Sequence, residues 1–166
     1  LEDRHGRAVP VIAAGGIYSG ADIRRFLDLG ASGVQMGTRF VATDECDADI
    51  RFKESFLKAS EQDITIIKSP VGMPGRALQN DFIASAREGL KKPFKCIFHC
   101  VHTCDPQKTP YCIAQALINA MKGNLERGFA FCGANVGRVN RITSVKELMQ
   151  SLETEYAASA TAAKEN

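Results

Sequence analysis

Residues 9–17, Val9-Pro10-Val11-Ile12-Ala13-Ala14-Gly15-Gly16-Ile17, and residues 33–38, Gly33-Val34-Gln35-Met36-Gly37-Thr38, decide the fold. Each holds a short apolar run that ends in glycine, the mark of a buried strand followed by a tight turn. Between them Ser19 is placed to cap a helix, and Asp22 adds negative charge to its first turn. Ile23, Phe26 and Leu27 give that helix an apolar stripe, and Gly30 stands where a helix stops. Strand, helix and strand with short connections make the two strands parallel, joined by a right-handed crossover. Their carboxyl ends then lie side by side, so the two glycine turns share one rim.

Working outward, a further helix is expected to open at Thr43 or Asp44 and run through Asp49, Phe52, Phe56 and Leu57. Ile64-Thr65-Ile66-Ile67 reads as a third strand. Residues 69–76, with Pro70, Gly72, Pro74 and Gly75, read as a turn-rich stretch. Helical periodicity returns at residues 80–90 and 111–122, and again after Ser144, where Glu147 completes a capping box. The alanine-rich residues 157–166 read as a frayed tail. The pattern divides the chain into β/α units over residues 1–68, a turn-rich and helical segment over 69–156, and the tail.

The 166 residues include 21 basic and 19 acidic side chains, a net charge of +2. That balance is too mild for a nucleic-acid footprint. No apolar stretch approaches the ~20 residues of a membrane helix, and no basic, apolar leader opens the sequence. A cytoplasmic protein is expected, without nucleic-acid or membrane partners. The start, without methionine and close to strand-like sequence, suggests a chain that begins inside a larger fold. The six cysteines then read as reduced thiols. Cys96, Cys100, Cys104 and Cys112 cluster, with His99 and His102 interleaved. Spacings of four would put three thiols along one helical face. Structural thiols, a metal or iron–sulfur site, and disulfides all fit that spacing, and structural thiols without metal are the expectation.

A glycine pair at a strand end lets a ligand approach backbone, and a following helix N-terminus favours an anion. Either turn alone reads as an ordinary βα connection. Together they reproduce the phosphate site that β/α barrels build after strands seven and eight. Residues 9–17 and 29–40, the latter ending Gln35-Met36-Gly37-Thr38-Arg39-Phe40, closely resemble the nitronate monooxygenase family, also called 2-nitropropane dioxygenases. That family includes the flavin-dependent enoyl-acyl-carrier-protein reductases. The resemblance continues through Ala42-Thr43-Asp44-Glu45 and Gly75-Arg76-Ala77-Leu78-Gln79-Asn80.

The resemblance implies an α/β fold: the C-terminal portion of an FMN-binding (β/α)8 (TIM) barrel, followed by a mainly helical segment. It implies FMN as cofactor, its phosphate held by Ala14, Gly15 and Gly16 after one strand and by Gln35, Met36, Gly37 and Thr38 around the other. Arg39 reads either as a solvated or ion-paired side chain or as a flavin contact. Residues 131–137, Phe131-Cys132-Gly133-Ala134-Asn135-Val136-Gly137, resemble a stretch that in relatives carries a glycine-glutamine pair near the active site. Here the glutamine position reads as Ala134, and an ordinary glycine-rich loop fits as well. The family's catalytic histidine matches none of His5, His99 and His102, so the catalytic residues stay unknown.

The implied activity is oxidation of a nitronate with O₂; the alternatives are reduction of an enoyl thioester and a non-catalytic half-barrel module. Strands cut from a barrel have open edges. The chain is therefore expected to need the missing N-terminal barrel half or self-association, and to be inactive alone.

Overall fold

The computed structural model describes residues 4, 6–92 and 94–162. In chain order its strands and α-helices are β1 (Ile12–Ala14), α1 (Gly20–Asp28), β2 (Gly33–Gln35), α2 (Thr38–Val41), α3 (Ile50–Leu57), β3 (Ile64–Lys68), β4 (Pro74–Leu78), α4 (Asp81–Arg87), α5 (Ile113–Met121) and α6 (Val145–Ala162). They fall into two compact units, Leu1–Cys46 with Arg141–Asn166, and Asp47–Asn140. The first thus closes through the far end of the chain. The boundary read from sequence after residue 68 falls instead within the second unit, between β3 and β4.

In the first unit β1 and β2 pair in parallel, Ile12 opposite Gly33 and Ala14 opposite Gln35. The crossover is α1, and its ends are built as the sequence indicates. Ser19 accepts from the Asp22 N–H at 3.2 Å while Asp22 reaches back to the Ser19 N–H at 3.0 Å, a reciprocal cap. At the other end Gly30 takes φ +94. Its N–H donates to the Leu27 carbonyl and that of Ala31 to the Phe26 carbonyl, which satisfies two end carbonyls in a left-handed cap. The Ser32 hydroxyl accepts from the Val11 N–H at 3.2 Å and its own N–H donates to the Val11 carbonyl, aligning β2 on β1.

The helix expected from Thr43 begins later, at Ile50. Asp49 caps it by accepting from the Arg51 N–H. Thr43 instead forms a parallel bridge with Thr143 and donates its hydroxyl to the Phe40 carbonyl. The Thr43 hydroxyl, bonded to local backbone, competes with helix there, and Asp49 provides the cap that starts it later. Opposite that bridge α6 starts on its capping box, the Glu147 N–H donating to the Ser144 hydroxyl. Leu148 and Leu152 of α6 are buried. The helix continues through Ala162, past the start of the expected frayed tail. Residues 163–166 of that tail lie outside the described residues.

The second unit is built on an antiparallel hairpin, β3 against β4, with Ile64 opposite Leu78 and Lys68 opposite Pro74. β4 takes up Pro74, Gly75 and Arg76, which the sequence placed in a turn. Proline is tolerated as the first residue of a strand, and Gly75 leaves room for the Phe131 ring, which a Cβ there would strike. Residues 130–132 lie along the other side of β4, through the Leu78 N–H to the Ala130 carbonyl and the Cys132 N–H to the Arg76 carbonyl. Beneath sit Phe82, Tyr111 and Phe129, their ring centroids 5.0 to 6.1 Å apart, with Ile67, Ala77, Ile83 and Ala116. Asn80 locks this core. Its side-chain oxygen caps α4 at the Ile83 N–H, and its amide donates to the carbonyls of Leu125 (3.0 Å) and Gly128 (2.8 Å).

Replacing Asn80 with alanine removes a cap and two hydrogen bonds and should cost roughly 2–3 kcal/mol, read as a lower urea midpoint. Burial pushes the Tyr111 hydroxyl up to about 12, against an unfolded value near 10. Below pH 10 the proton is held in both states and its contribution is complete. Between pH 10 and about 12 the unfolded chain releases it first, so stability falls as pH rises. Tyr111→Phe should flatten that alkaline decline in a melting series.

Candidate functional site

The parallel register of β1 and β2 sends both glycine turns out of the same end of the pair. Gly15 and Gly16 turn the chain at φ +83 and +71, a conformation that L side chains avoid. Gly37 has an ordinary φ of −124 at the start of α2. A Cβ added at Gly15, Gly16 or Gly37 would meet no atom within 4 Å. These glycines therefore border open space. Ala14, Gly15, Gly16, Gln35 and Gly37 are exposed, and Met36 and Thr38 are half-buried. The structure thus brings all seven residues singled out in the sequence to two neighbouring strand ends.

Behind the turns Arg39 reaches back across the pair. Its Nη1 donates to the Tyr18 carbonyl at 3.0 Å, and its guanidinium stacks 4.5 Å from the centre of the Tyr18 ring. It ties the stretch after the second turn to the stretch after the first, a role that no spacing in the sequence announces. Tyr18 itself follows Ile17, which is buried and anchors the end of the first turn.

The N-terminus of α1 does not wait for an anion, as the sequence led one to expect; the chain fills it. The Asp22 carboxylate accepts from the N–H groups of Tyr18 (3.1 Å) and Ser19 (3.0 Å) and from the Ser19 hydroxyl (2.9 Å). Glu155, far along the chain on α6, accepts from the Gly20 N–H at 2.7 Å and is steadied by the Ser151 hydroxyl at 3.0 Å. Gly20 permits this approach: a Cβ there would run into the backbone of Leu152 and Tyr156. Arg24 completes the contact, donating to the Tyr156 hydroxyl at 3.0 Å. Two carboxylates already answer the positive end of α1. The rim can therefore hold an anion through its glycine turns, not through that helix.

Residues 131–137 belong to the second unit. Val136 is fully buried, and a Cβ at Gly137 would crowd the backbone of Ser60 and Glu61, so this loop's glycine has a packing reason. Burial pushes the Cys132 thiol up to about 11, against a slight lowering by Arg76. Such a thiol is protonated at neutral pH and a poor nucleophile. His5 lies outside the described residues. Among the described residues no helix is long and apolar enough to cross a membrane.

Against known proteins, the family model described as nitronate monooxygenase matches residues 2–155. A probable nitronate monooxygenase of Staphylococcus saprophyticus is 39% identical over 80 residues, 48% of this chain and 22% of that protein. A (3aS,4S,5R,7aS)-5-hydroxy-7a-methyl-1-oxo-octahydro-1H-indene-4-carboxyl-CoA dehydrogenase of Rhodococcus jostii is 42% identical over 77 residues, 46% of this chain and 22% of that protein. Among solved structures, FabK from Thermotoga maritima superposes with a TM-score of 0.77 at 30% identity, covering 96% of this chain and 48% of FabK. A nitroalkane oxidase from Streptomyces ansochromogenes gives 0.71 at 25% identity, covering 96% of this chain and 42% of that one. The chain therefore spans about half the length of the solved proteins it resembles, and its alignments with the curated relatives cover about a fifth of theirs.

Gly20→Ala should force α1 and α6 apart and cost roughly 1–3 kcal/mol, the usual range for overpacking. A denaturation midpoint unchanged from that of the parent chain would contradict the close approach.

Proposed function

The chain belongs to the nitronate monooxygenase family, and from that premise we propose that it is the C-terminal portion of an FMN-binding (β/α)8 barrel oxidoreductase. The observation that carries this reading is the parallel strand pair whose glycine turns open together onto free space. Ala14, Gly15, Gly16, Gln35, Met36, Gly37 and Thr38 would hold the FMN phosphate, through backbone N–H groups and the Thr38 hydroxyl. The residues fit the group. The space above Gly15, Gly16 and Gly37 is the space that a phosphate drawn close to backbone needs, and a side chain there would take it. FMN, when bound, supplies the redox chemistry.

What this chain supplies is position. Gly15 and Gly16 present backbone to the ligand, and Arg39 keeps the two turns in register through Tyr18. None of its residues matches the family's base, so the base toward substrate belongs to another part of the protein. The substrate we favour is a nitronate, oxidised with O₂, because the family model covers residues 2–155. Reduction of an enoyl thioester is the second reading, favoured by the match to FabK. The Val9, Val11 and Ile12 side chains are exposed, Ile12 at 56%, as expected of barrel strands that lack neighbours. We therefore read the partner as the N-terminal barrel half, with self-association as the substitute in its absence. We read the protein as cytoplasmic, a reading that free thiols at all six cysteines support.

Gly37→Leu tests the site with little strain, because its φ is ordinary and nothing lies within 4 Å of a Cβ there. In the full-length protein this variant should melt as the wild type does and lose FMN on gel filtration. Unchanged FMN retention would overturn the placement. Mixed anaerobically with a nitronate, the full-length protein should lose its flavin colour; bleaching by NAD(P)H alone would favour the enoyl reductase. The 166-residue chain alone should retain little FMN and turn over neither substrate.

A further inference from the structure

The second unit holds a cavity of about 650 Å³, lined by residues between Ile67 and Tyr111. The exit of β3 forms one wall, α4 a second, and the loop that leads into α5 a third. That loop, residues 94–110, contains no helix or strand, so Cys96, Cys100 and Cys104 share no helical face. Two bonds hold it in place. The Lys92 N–H donates to the Pro110 carbonyl at 2.8 Å, and the Thr103 hydroxyl donates to the Val71 carbonyl at 3.3 Å. Ile67, Ile83 and Tyr111, all core residues, give the cavity an apolar floor. A cavity of this size and lining suits a small organic ligand.

The polar groups on the walls narrow the ligand's chemistry. Arg87 Nη2 donates to the Thr65 hydroxyl and, at 2.8 Å, to the Ile66 carbonyl, which pins the guanidinium to β3. Its Nε and Nη1 have no acceptor among the described residues. Lys68, two residues along β3 from Ile66, makes no ion pair among the described residues. Lys108, by contrast, is paired with Asp105 at 3.2 Å. Ser69 is 7% exposed; its oxygen accepts from the Val71 N–H at 3.3 Å, and its own proton has no acceptor among the described residues. Tyr111 is 5% exposed, and among the described residues its hydroxyl has no partner, although a buried tyrosine hydroxyl ordinarily finds one. All four groups have donors to spare, and two of them carry positive charge that no carboxylate of the chain answers. Donors and positive charge above an apolar floor suit an anion on an apolar body.

We propose that this cavity binds a hydrophobic monocarboxylate, its carboxylate held by Arg87 and Lys68 and its apolar body laid on Ile67, Ile83 and the Tyr111 ring. The carboxylate oxygens supply the acceptors that Ser69 and Tyr111 lack. Arg87 is suited to the task because its position is set before the ligand arrives, so little side-chain freedom is lost on binding. The rigid wall of β3 and the packed side chains behind it fix the depth of the floor, while the charges choose the end that enters beside them. None of these residues belongs to the glycine turns, which lie in the first unit, so the assignment is independent of the FMN reading.

Titrated calorimetrically with 4-phenylbutyrate, the full-length protein should bind one equivalent saturably. 4-Phenylbutanamide keeps the body without the charge, and acetate keeps the charge without the body. Each should bind at least roughly tenfold more weakly, the difference expected for losing a charged hydrogen bond or the apolar contact. Arg87→Gln and Lys68→Gln should each weaken 4-phenylbutyrate by a similar factor. Lys58→Gln, which removes a cation paired with Glu54 outside the cavity, should leave it unchanged. Gly37→Leu, at the rim, should also leave it unchanged, whether or not that variant keeps FMN. Should the cation variants misfold, the wild-type protein still decides through the amide and acetate comparisons and through methyl NMR, where 4-phenylbutyrate should shift the Ile67 and Ile83 signals. No saturable binding overturns the proposal, as does equal binding of the amide. So does affinity that is lost in Gly37→Leu, or that survives in both Arg87→Gln and Lys68→Gln.

Discussion

Parallel strands are stable where both faces and both edges find cover, and that requirement governs the first unit. Two strands of three residues each cannot supply it for themselves. The chain meets part of it by returning α1 alongside the strands and packing α6 on α1 through Gly20. The rest is left open, with Val9, Val11 and Ile12 facing solvent. A neighbouring strand would bury such side chains at about 25 cal/mol per Å² of apolar surface. Val9 and Val11 ahead of β1 and Ile12 within it are thus apolar surface that a further strand could cover.

The same close contact of α1 with α6 shapes the electrostatics of the rim. Asp22 and Glu155 take up N–H groups at the start of α1 that an anion would otherwise have used. Their charges also oppose a second anion placed over that helix. The turns themselves present backbone dipoles, which act over a short range. The Arg39 guanidinium, held on Tyr18, places a fixed positive charge on the same side. The start of α1 is thus held by two carboxylates of the chain, while the glycine turns border open space.

Features written within a few residues were legible in the sequence. Ser19 with Asp22, Gly30, Ser144 with Glu147, and the parallel strand pair are fixed by local caps, periodicity and short connections. The features that escaped depend on partners far along the chain. Pro74 and Gly75 carry turn chemistry, yet pairing with β3 and the Phe131 ring makes them strand. Thr43 has a helix-capping side chain, yet its backbone is claimed by Thr143. Glu155 at the head of α1 and Arg39 on Tyr18 have no local signature at all. At the rim, the sequence could name the glycines but not say which neighbouring groups were already engaged.

The glycines also show that one family resemblance can cover two different physical reasons. The residues that carry it include Gly15 and Gly16 in one stretch, Gly37 in a second and Gly75 in a third, and a motif alone treats them alike. Adding a Cβ separates them. At Gly75 it strikes the Phe131 ring, and at Gly20 and Gly128 it strikes the backbone of a packed helix, so those positions are small because the protein's own interior demands it. At Gly15, Gly16 and Gly37 it strikes nothing. For Gly15 and Gly16 the positive φ is a sufficient backbone reason. Gly37 has neither a crowded neighbour nor an unusual φ, so nothing inside the chain requires glycine there. Among the rim glycines, Gly37 is therefore the position whose small size owes least to the chain's own packing and backbone.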